Sequence, residues 1–301
     1  MKYALGIDIG GTNTRVALID EEYHIINRKQ FPTDSNDPIQ TFKKINEAIK
    51  EFNTEGIVGI GLSCPGPLDL INGKIITTPN LSKKWWNLEI SKKLTETTGL
   101  NTYLENDANL ACLAESCVGQ GKDYRYVGFL TVSTGVGSGF CIDKKIYQGA
   151  HGFAHEIANM PLWRNGPSHG TIIPGGIEAI CSGTAIEKRA KAAGLEVKHA
   201  GEVYDLAVSG DSYAAMIIDD AKEYLANGIA SIYALLDPEI IILGGSVSIK
   251  MPHFVEDVEA RVKEKVFSVV KPYVKVVRTT LNEDSGLIGA ACLAFLKERG
   301  Q

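Results

Sequence analysis

The sequence predicts an α/β protein of two lobes, each founded on a strand–glycine turn–strand unit that the chain contains twice. Two observations carry this. Runs rich in Val, Ile and Leu alternate with stretches of helical periodicity. The order of parts in residues 1–26 (strand, glycine turn, strand, charged turn, strand) then returns between Tyr126 and Tyr147.

Residues 3–9, 14–19 and 23–31 read as strands joined by tight turns, with Asp20-Glu21-Glu22 as one turn. Pro38 opens an amphipathic helix over 38–52, with Ile39, Phe42, Ile45, Ile49 and Phe52 on one face. Ile57 to Leu62 is a buried strand ended by Ser63-Cys64-Pro65-Gly66-Pro67, and 107–118 is a helix. In the second copy, Ser133-Thr134-Gly135-Val136-Gly137-Ser138-Gly139 is the glycine turn and Asp143-Lys144-Lys145 the charged one. Helical periodicity follows over 178–193, 202–208 and 211–236. Glu239 to Leu243 is an apolar strand ending at Gly244-Gly245, followed by a helix near 252–268 and a strand over 274–280. Ser285 is read as the cap of a last helix. No low-complexity linker occurs. The lobes are expected at 1–118 plus 285–301 and at 119–284, with similar units facing one cleft.

The 301 residues are 44% hydrophobic and 22% charged, with a net charge of −5. This is enough chain for two cores and too acidic for a broad nucleic-acid footprint. Cysteines stand at 64, 112, 117, 141, 181 and 292 without a C-x-x-C pair, which reads as buried free thiols in a reducing, cytoplasmic setting. The start of the chain is not a signal peptide, because Asp8 interrupts any apolar core. No apolar run approaches the ~18 residues of a membrane span.

Three glycine turns follow strands: Gly10-Gly11, Gly135 to Gly139, and Gly244-Gly245. Backbone N–H groups in such turns converge on anions, and glycine lets a phosphate approach. None fits G-x-x-x-x-G-K-[ST] or a G-x-G-x-x-G that opens a helix, which argues against P-loop and dinucleotide folds. In Leu104-Glu105-Asn106-Asp107-Ala108-Asn109, Asn106 or Asp107 sits where a helix cap belongs. Asp107 is then either a cap or a general base, and phosphoryl transfer to an alcohol requires such a base. Asn106 both donates and accepts hydrogen bonds, as sugar hydroxyls require. Glu156 and Glu178 each lie in a glycine-rich segment, and Glu178 is equally readable as a charge at a helix N-terminus.

These motifs together resemble the ROK family (repressors, open reading frames and kinases), within the actin-like, hexokinase-like (ribonuclease H-like) ATPase superfamily. The likeness covers essentially the whole chain. Asp8-x-Gly10-Gly11-Thr12, with Asn13, resembles the first phosphate motif, Thr134-Gly135-x-Gly137-x-Gly139 the second, and Gly244-Gly245 the adenosine-side turn. The resemblance implies that Asp107 is the catalytic base. It also implies that Asn80, Asn106, Glu156 and Glu178 bind sugar, and that Asp8 places Mg²⁺ through water. ATP and Mg²⁺ are the implied cofactors, and a homodimer is the implied assembly.

One departure stands out. Many members carry E-x-G-H and then C-x-C-G-x-x-G-C, which bind a structural zinc. Here those positions are Asn159, His169, Thr171 and Gly176. Tetrahedral zinc needs four ligands, so no zinc is expected, and the loop is expected to be freer. In the family that histidine also touches the sugar near its anomeric end, so the shorter Asn159 leaves room for a substituent there.

The expected reaction is transfer of the ATP γ-phosphate to the 6-hydroxyl of glucose, a β-glucoside such as cellobiose, or N-acetylmannosamine or N-acetylglucosamine. Trp163, Arg164, Trp85 and Trp86 are candidates to stack on a second ring, against the plainer reading of core packing. The alternatives are a catalytically silent sugar-binding protein and a sugar-responsive regulator. The second is disfavoured because only seven residues precede Asp8. No nucleic-acid or membrane partner is expected.

Overall fold

Short apolar strands in the first third alternate large and small residues, and a computed structural model shows what that alternation does. It describes residues 1–52, 55–78 and 81–300, apart from the side chain of Asn282. In chain order the elements are β1 (Tyr3–Ile9), β2 (Asn13–Asp20), β3 (Ile25–Pro32), α1 (Pro38–Lys50), β4 (Ile57–Cys64), β5 (Leu68–Asp69), β6 (Lys74–Ile75), α2 (Ile90–Thr98), β7 (Thr102–Asn106) and α3 (Asp107–Cys117). Next come β8 (Tyr126–Val132), β9 (Val136–Ile142), β10 (Lys145–Ile146), α4 (Ile177–Cys181), α5 (Gly183–Ala192), α6 (Ala200–Val208) and α7 (Ser212–Leu236). The last are β11 (Ile240–Gly244), α8 (Ser246–Lys250), α9 (Phe254–Lys265), β12 (Val276–Arg278) and α10 (Ser285–Glu298).

The chain forms two compact units. The first contains Met1–Lys122, Lys144–Ala154 and Leu281–Gln301, and the second Asp123–Asp143 and His155–Thr280. The segment from Lys144 to Ala154, assigned from sequence to the second lobe, lies with the first unit.

In the first unit the strand order is β3-β2-β1-β4-β7. β1 pairs antiparallel with β2 and parallel with β4, which pairs parallel with β7. One face of β1 presents Leu5, Ile7 and Ile9 to a core with Phe42, Ile45, Ile49, Leu94 and Trp85. The other face is small. Ala4 and Ala17 lie there beneath Leu287, Ala291 and Phe295 of α10. The backbone of α10 comes so near the sheet that a Cβ on Gly61 would stand 1.7 Å from the Ala290 carbonyl oxygen. Small residues on a strand face mark such a close approach. α10 also packs against α3, with Gly289 directly on the Leu110 carbonyl.

The second unit repeats the scheme. β8 and β9 form an antiparallel hairpin, β8 pairs parallel with β11, and β11 with β12. The order β9-β8-β11-β12 thus reproduces β2-β1-β4-β7. The core under this sheet is dominated by α7, whose Ala214, Ile217, Ile218, Ala221, Leu225 and Ile229 follow helical spacing.

Several elements differ from the sequence reading. Ile39 is 61% exposed, because α1 buries Phe42, Ile45 and Ile49 from the next turns while Asp37 caps the first. The helix expected over 178–193 breaks at Ser182, whose extended backbone ends α4 and whose hydroxyl caps α5. Ser285 is the first residue of α10, with Asp284 in the cap position. Strand pairing limits β12 to three residues, because it matches only Ile241 to Leu243 of β11. Among the described residues no helix is long and apolar enough to cross a membrane.

Candidate active site

Parallel strands deliver the polar residues of the first unit to one edge. In register, Asp8 lies opposite Ser63, and Cys64 opposite Asn106. The ends of β1, β4 and β7 therefore bring Asp8, Cys64 and Asn106-Asp107 together. The Cys64 thiol reports this: burial pushes its pKa up, and the charges of Asp107 and Asp8 push it further. Asn106 is the cap of α3, its side-chain oxygen accepting the Ala108 and Asn109 N–H groups. Asp107 is thus not needed as the cap. It is exposed on the first turn, where the helix N-terminus favours its ionised form, although its Oδ1 also meets the Ala108 N–H at 2.8 Å.

Behind this edge Glu105 is fully buried. Its carboxylate accepts the Asn106 N–H at 2.8 Å, Asn109 Nδ2 at 3.0 Å and Gln148 Nε2 at 2.6 Å. Burial raises its pKa and these donors oppose the rise. Gln148 comes from the Lys144–Ala154 segment, a contact with no local signal in the sequence.

The first glycine turn closes the β1–β2 hairpin through Gly10 N–H to the Asn13 carbonyl, 2.9 Å. Gly11, Thr12 and Asn13 lie at its surface. Asp8 is not isolated. Arg15 reaches its Oδ2 with Nε at 3.1 Å and Nη2 at 2.6 Å, and anchors Nη1 on the Glu283 carbonyl at 2.7 Å. Sequence reasoning missed Arg15. The signal lay in strand pairing, since Asp8 and Arg15 are partners in the hairpin register. Asn80 lies outside the described residues.

In the second unit the turn between β8 and β9 is held by its carbonyls. Ser133 O accepts the Gly183 N–H at 2.6 Å and Thr134 O accepts the Thr184 hydroxyl. Gly244-Gly245 ends β11. Gly245 has φ +85°, and a Cβ there would stand 2.4 Å from the Val132 carbonyl oxygen, so only glycine fits. Beside these two turns lies a cavity of ≈ 640 Å³ lined by Thr134, Thr184, His199, Tyr204, Ser246 and Lys250, among others. That is within the range of about 300–1,000 Å³ usual for small-molecule sites. His199, Tyr204 and Lys250 carried no motif and were not foreseen.

Glu178, on the first turn of α4, accepts the Val136 N–H at 2.9 Å. Glu156 keeps a solvent-facing side, yet packing around its carboxylate and the nearby Glu178 charge raise its pKa. The adjacent His155 has φ +67° and stacks on Phe140 with ring centroids 5.5 Å apart. Burial lowers its pKa to about 4, so it is neutral at physiological pH.

The zinc positions do not fit a metal. Asn159 Oδ1 accepts the Ile173 N–H at 2.9 Å, and His169 Nε2 meets the Thr184 hydroxyl at 3.2 Å. Among the described residues no group of three or more His, Cys, Asp or Glu side chains is placed to hold a metal ion. The loop, expected to be freer without zinc, is tied by hydrogen bonds. Lys188 Nζ also reaches the Ser168 carbonyl at 3.0 Å, and the Gly175 N–H reaches the Pro167 carbonyl at 2.9 Å. For Trp85 and Trp163 the plainer reading, packing within the protein, is what the structure shows. Trp85 is fully buried, with Nε1 on the Asp34 carbonyl. Trp163 stacks on Tyr224 with centroids 4.9 Å apart, and the Arg189 guanidinium lies 5.6 Å from its ring.

The model of the ROK family matches residues 4–297. The glucokinase of Thermotoga maritima is 31% identical, over 98% of this chain and 97% of its own length. The xylose repressor of Bacillus spizizenii is 26% identical, over 97% of this chain and 77% of its own. Among solved structures, a ROK hexokinase from Thermus thermophilus is similar at a TM-score of 0.91 and 29% identity, covering 99% of this chain and 100% of that one. A ROK glucokinase from Streptomyces griseus, in complex with glucose and AMPPNP, is similar at a TM-score of 0.75 and 25% identity, with 98% and 99% covered. With the family model matching nearly every residue that the two repeated units contain, the chain belongs to the ROK family, as an ATP-dependent carbohydrate kinase of the actin-like ATPase fold.

Proposed function

We propose that this kinase transfers the γ-phosphoryl group of ATP to the 6-hydroxyl of a free hexose-type sugar, with Asp107 as general base. The observation that carries the assignment is the placement of Asp107. Asn106 caps α3, so the Asp107 carboxylate stands exposed at the helix N-terminus, at the strand edge that also holds Asp8. A base so placed accepts the hydroxyl proton as the phosphoryl group is transferred. In the second unit Glu156 and Glu178 are the sugar-orienting carboxylates. Asn159 has its oxygen engaged by Ile173, which leaves Nδ2 as a donor to the sugar.

The glycine turns and the cavity beside Thr134 and Ser246 suit the phosphates and the nucleoside of ATP. Both Arg15 bonds fall on Asp8 Oδ2, which leaves Oδ1 to accept from a magnesium-bound water. Magnesium, when bound, offsets the phosphate charge. A free hexose is favoured over a disaccharide because Trp85 is in the core and one face of Trp163 is covered by Tyr224, which leaves only Trp86 and Arg164 of the stacking candidates. The family resemblance further suggests a homodimer, which sedimentation velocity measures directly.

A coupled ADP-release assay with glucose, N-acetylmannosamine, fructose and cellobiose tests the reading. Asp107→Asn is expected to lower kcat by about 10²–10⁴-fold with little change in KM. Equal rates in the two proteins refute the base assignment. An absence of turnover with every sugar favours a silent sugar-binding protein instead.

A further inference from the structure

Glu178 lies against the second glycine turn as well as beside Glu156. Its Oε2 accepts the Val136 N–H at 2.9 Å. A methyl group on Gly135 would stand 2.7 Å from that same oxygen. The carboxylate therefore occupies the space that any side chain at 135 would take. The preceding turn residues are tied to the cavity wall, since Thr134 O accepts the Thr184 hydroxyl and both residues line the cavity.

We infer that the Glu178–Val136 hydrogen bond couples sugar binding to nucleotide binding, and that Gly135, a residue of the nucleotide turn, is a positioning residue for the sugar. This rests on the reading of Glu178 as a sugar-contacting carboxylate. An unanchored glutamate samples several rotamers. The Val136 N–H holds Oε2 and leaves Oε1 to accept from a sugar hydroxyl. Phosphates seated on the turn order Gly135 and Val136, and with them the carboxylate. A sugar seated on the carboxylate orders the turn in return. Linkage requires the two effects to be equal in free energy.

The experiment is equilibrium binding of glucose and of N-acetylmannosamine by calorimetry, with and without saturating AMPPNP. It uses the wild type, Gly135→Ala and Glu178→Gln. The wild type is expected to bind its sugar about tenfold more tightly when AMPPNP is present, within the usual span of coupled sites. In Gly135→Ala the new Cβ displaces the carboxylate, so the sugar Kd rises without nucleotide and the coupling factor falls toward one. Glu178→Gln keeps an oxygen for the Val136 N–H but presents an amide to the sugar, so affinity falls while coupling persists.

Equal sugar affinity in the wild type with and without AMPPNP overturns the inference. So does a Gly135→Ala defect confined to AMPPNP affinity. Either result leaves the kinase reading standing if ADP release is seen. If neither sugar binds and no sugar yields ADP, the kinase reading itself falls and takes the inference with it.

Discussion

Replacing Glu105 with glutamine tests how the edge around Asp107 is held. The carboxylate is fully buried and takes three N–H donors, two on Oε1 and one on Oε2. Burial outweighs those donors and raises its pKa above the ordinary 4.5. Between that value and the raised one, the folded protein holds a proton that the unfolded chain has lost. The stability contributed by protonated Glu105 is therefore complete below 4.5 and is lost as pH rises through the folded-state pKa. The slope reaches at most about 1.4 kcal/mol per pH unit.

Glutamine does not titrate, so the variant lacks this slope. Its single oxygen serves the two Oε1 donors, and the bond from Gln148 is lost, at a cost of about 0.5–1.5 kcal/mol. Near pH 4.5 the two proteins are expected to agree within that cost, with the variant gaining on the wild type as pH rises. Urea unfolding at a series of pH values from 4.5 to 8 gives the difference directly, and groups common to both proteins cancel. Parallel stability profiles across that range would refute the raised pKa. A wild type that gains on the variant as pH rises would show that the three donors win over burial.

Two further outcomes follow from packing and from the loop. Gly289→Ala places a Cβ 1.9 Å from the Leu110 carbonyl oxygen, a clash between two backbones that no rotamer relieves. It is expected to destabilise by about 1–3 kcal/mol and, because α3 carries Asp107 at its start, to lower kcat more than it raises KM. Thermal unfolding and steady-state kinetics check both, and a neutral variant would mean that the helices separate freely. Asn159→Ala removes the acceptor of the Ile173 N–H. Its loss, worth about 0.5–1.5 kcal/mol, is expected to increase proteolytic cleavage within residues 163–176 several-fold at native conditions. Unchanged cleavage would show that the remaining bonds of the loop suffice without it.

Much of the fold was legible because period and repetition are local properties. The hairpin around Gly10-Gly11 and its second copy at Ser133 to Gly139 are readable from residue order, and both sheets arrange the strands around them alike. The large apolar spacing of α7 was equally plain. Boundaries were less so. The break at Ser182 and the brevity of β12 depend on backbone conformation and on the length of the partner strand, neither of which has a local signature. The tryptophans were open between stacking on a second sugar ring and packing in the core, and for Trp85 the core with Phe42 is what the fold chose.

For the site, the residue types and their spacing by themselves determined the candidates: a carboxylate after a strand, repeated glycine turns and an Asn-Asp pair at a helix start. They left Asp107 open between a cap and a base, and the expected roles came from the resemblance to the ROK family. Only the tertiary structure decided who holds whom. Arg15 on Asp8, Gln148 on Glu105 and Val136 on Glu178 join residues 7, 43 and 42 positions apart. It also showed which bonds tie the loop expected to be freer without zinc, those of Asn159 and His169. Hydrogen bonds and steric exclusion act over a few ångströms of space, and a linear pattern carries no record of which distant residues the fold brings within that range.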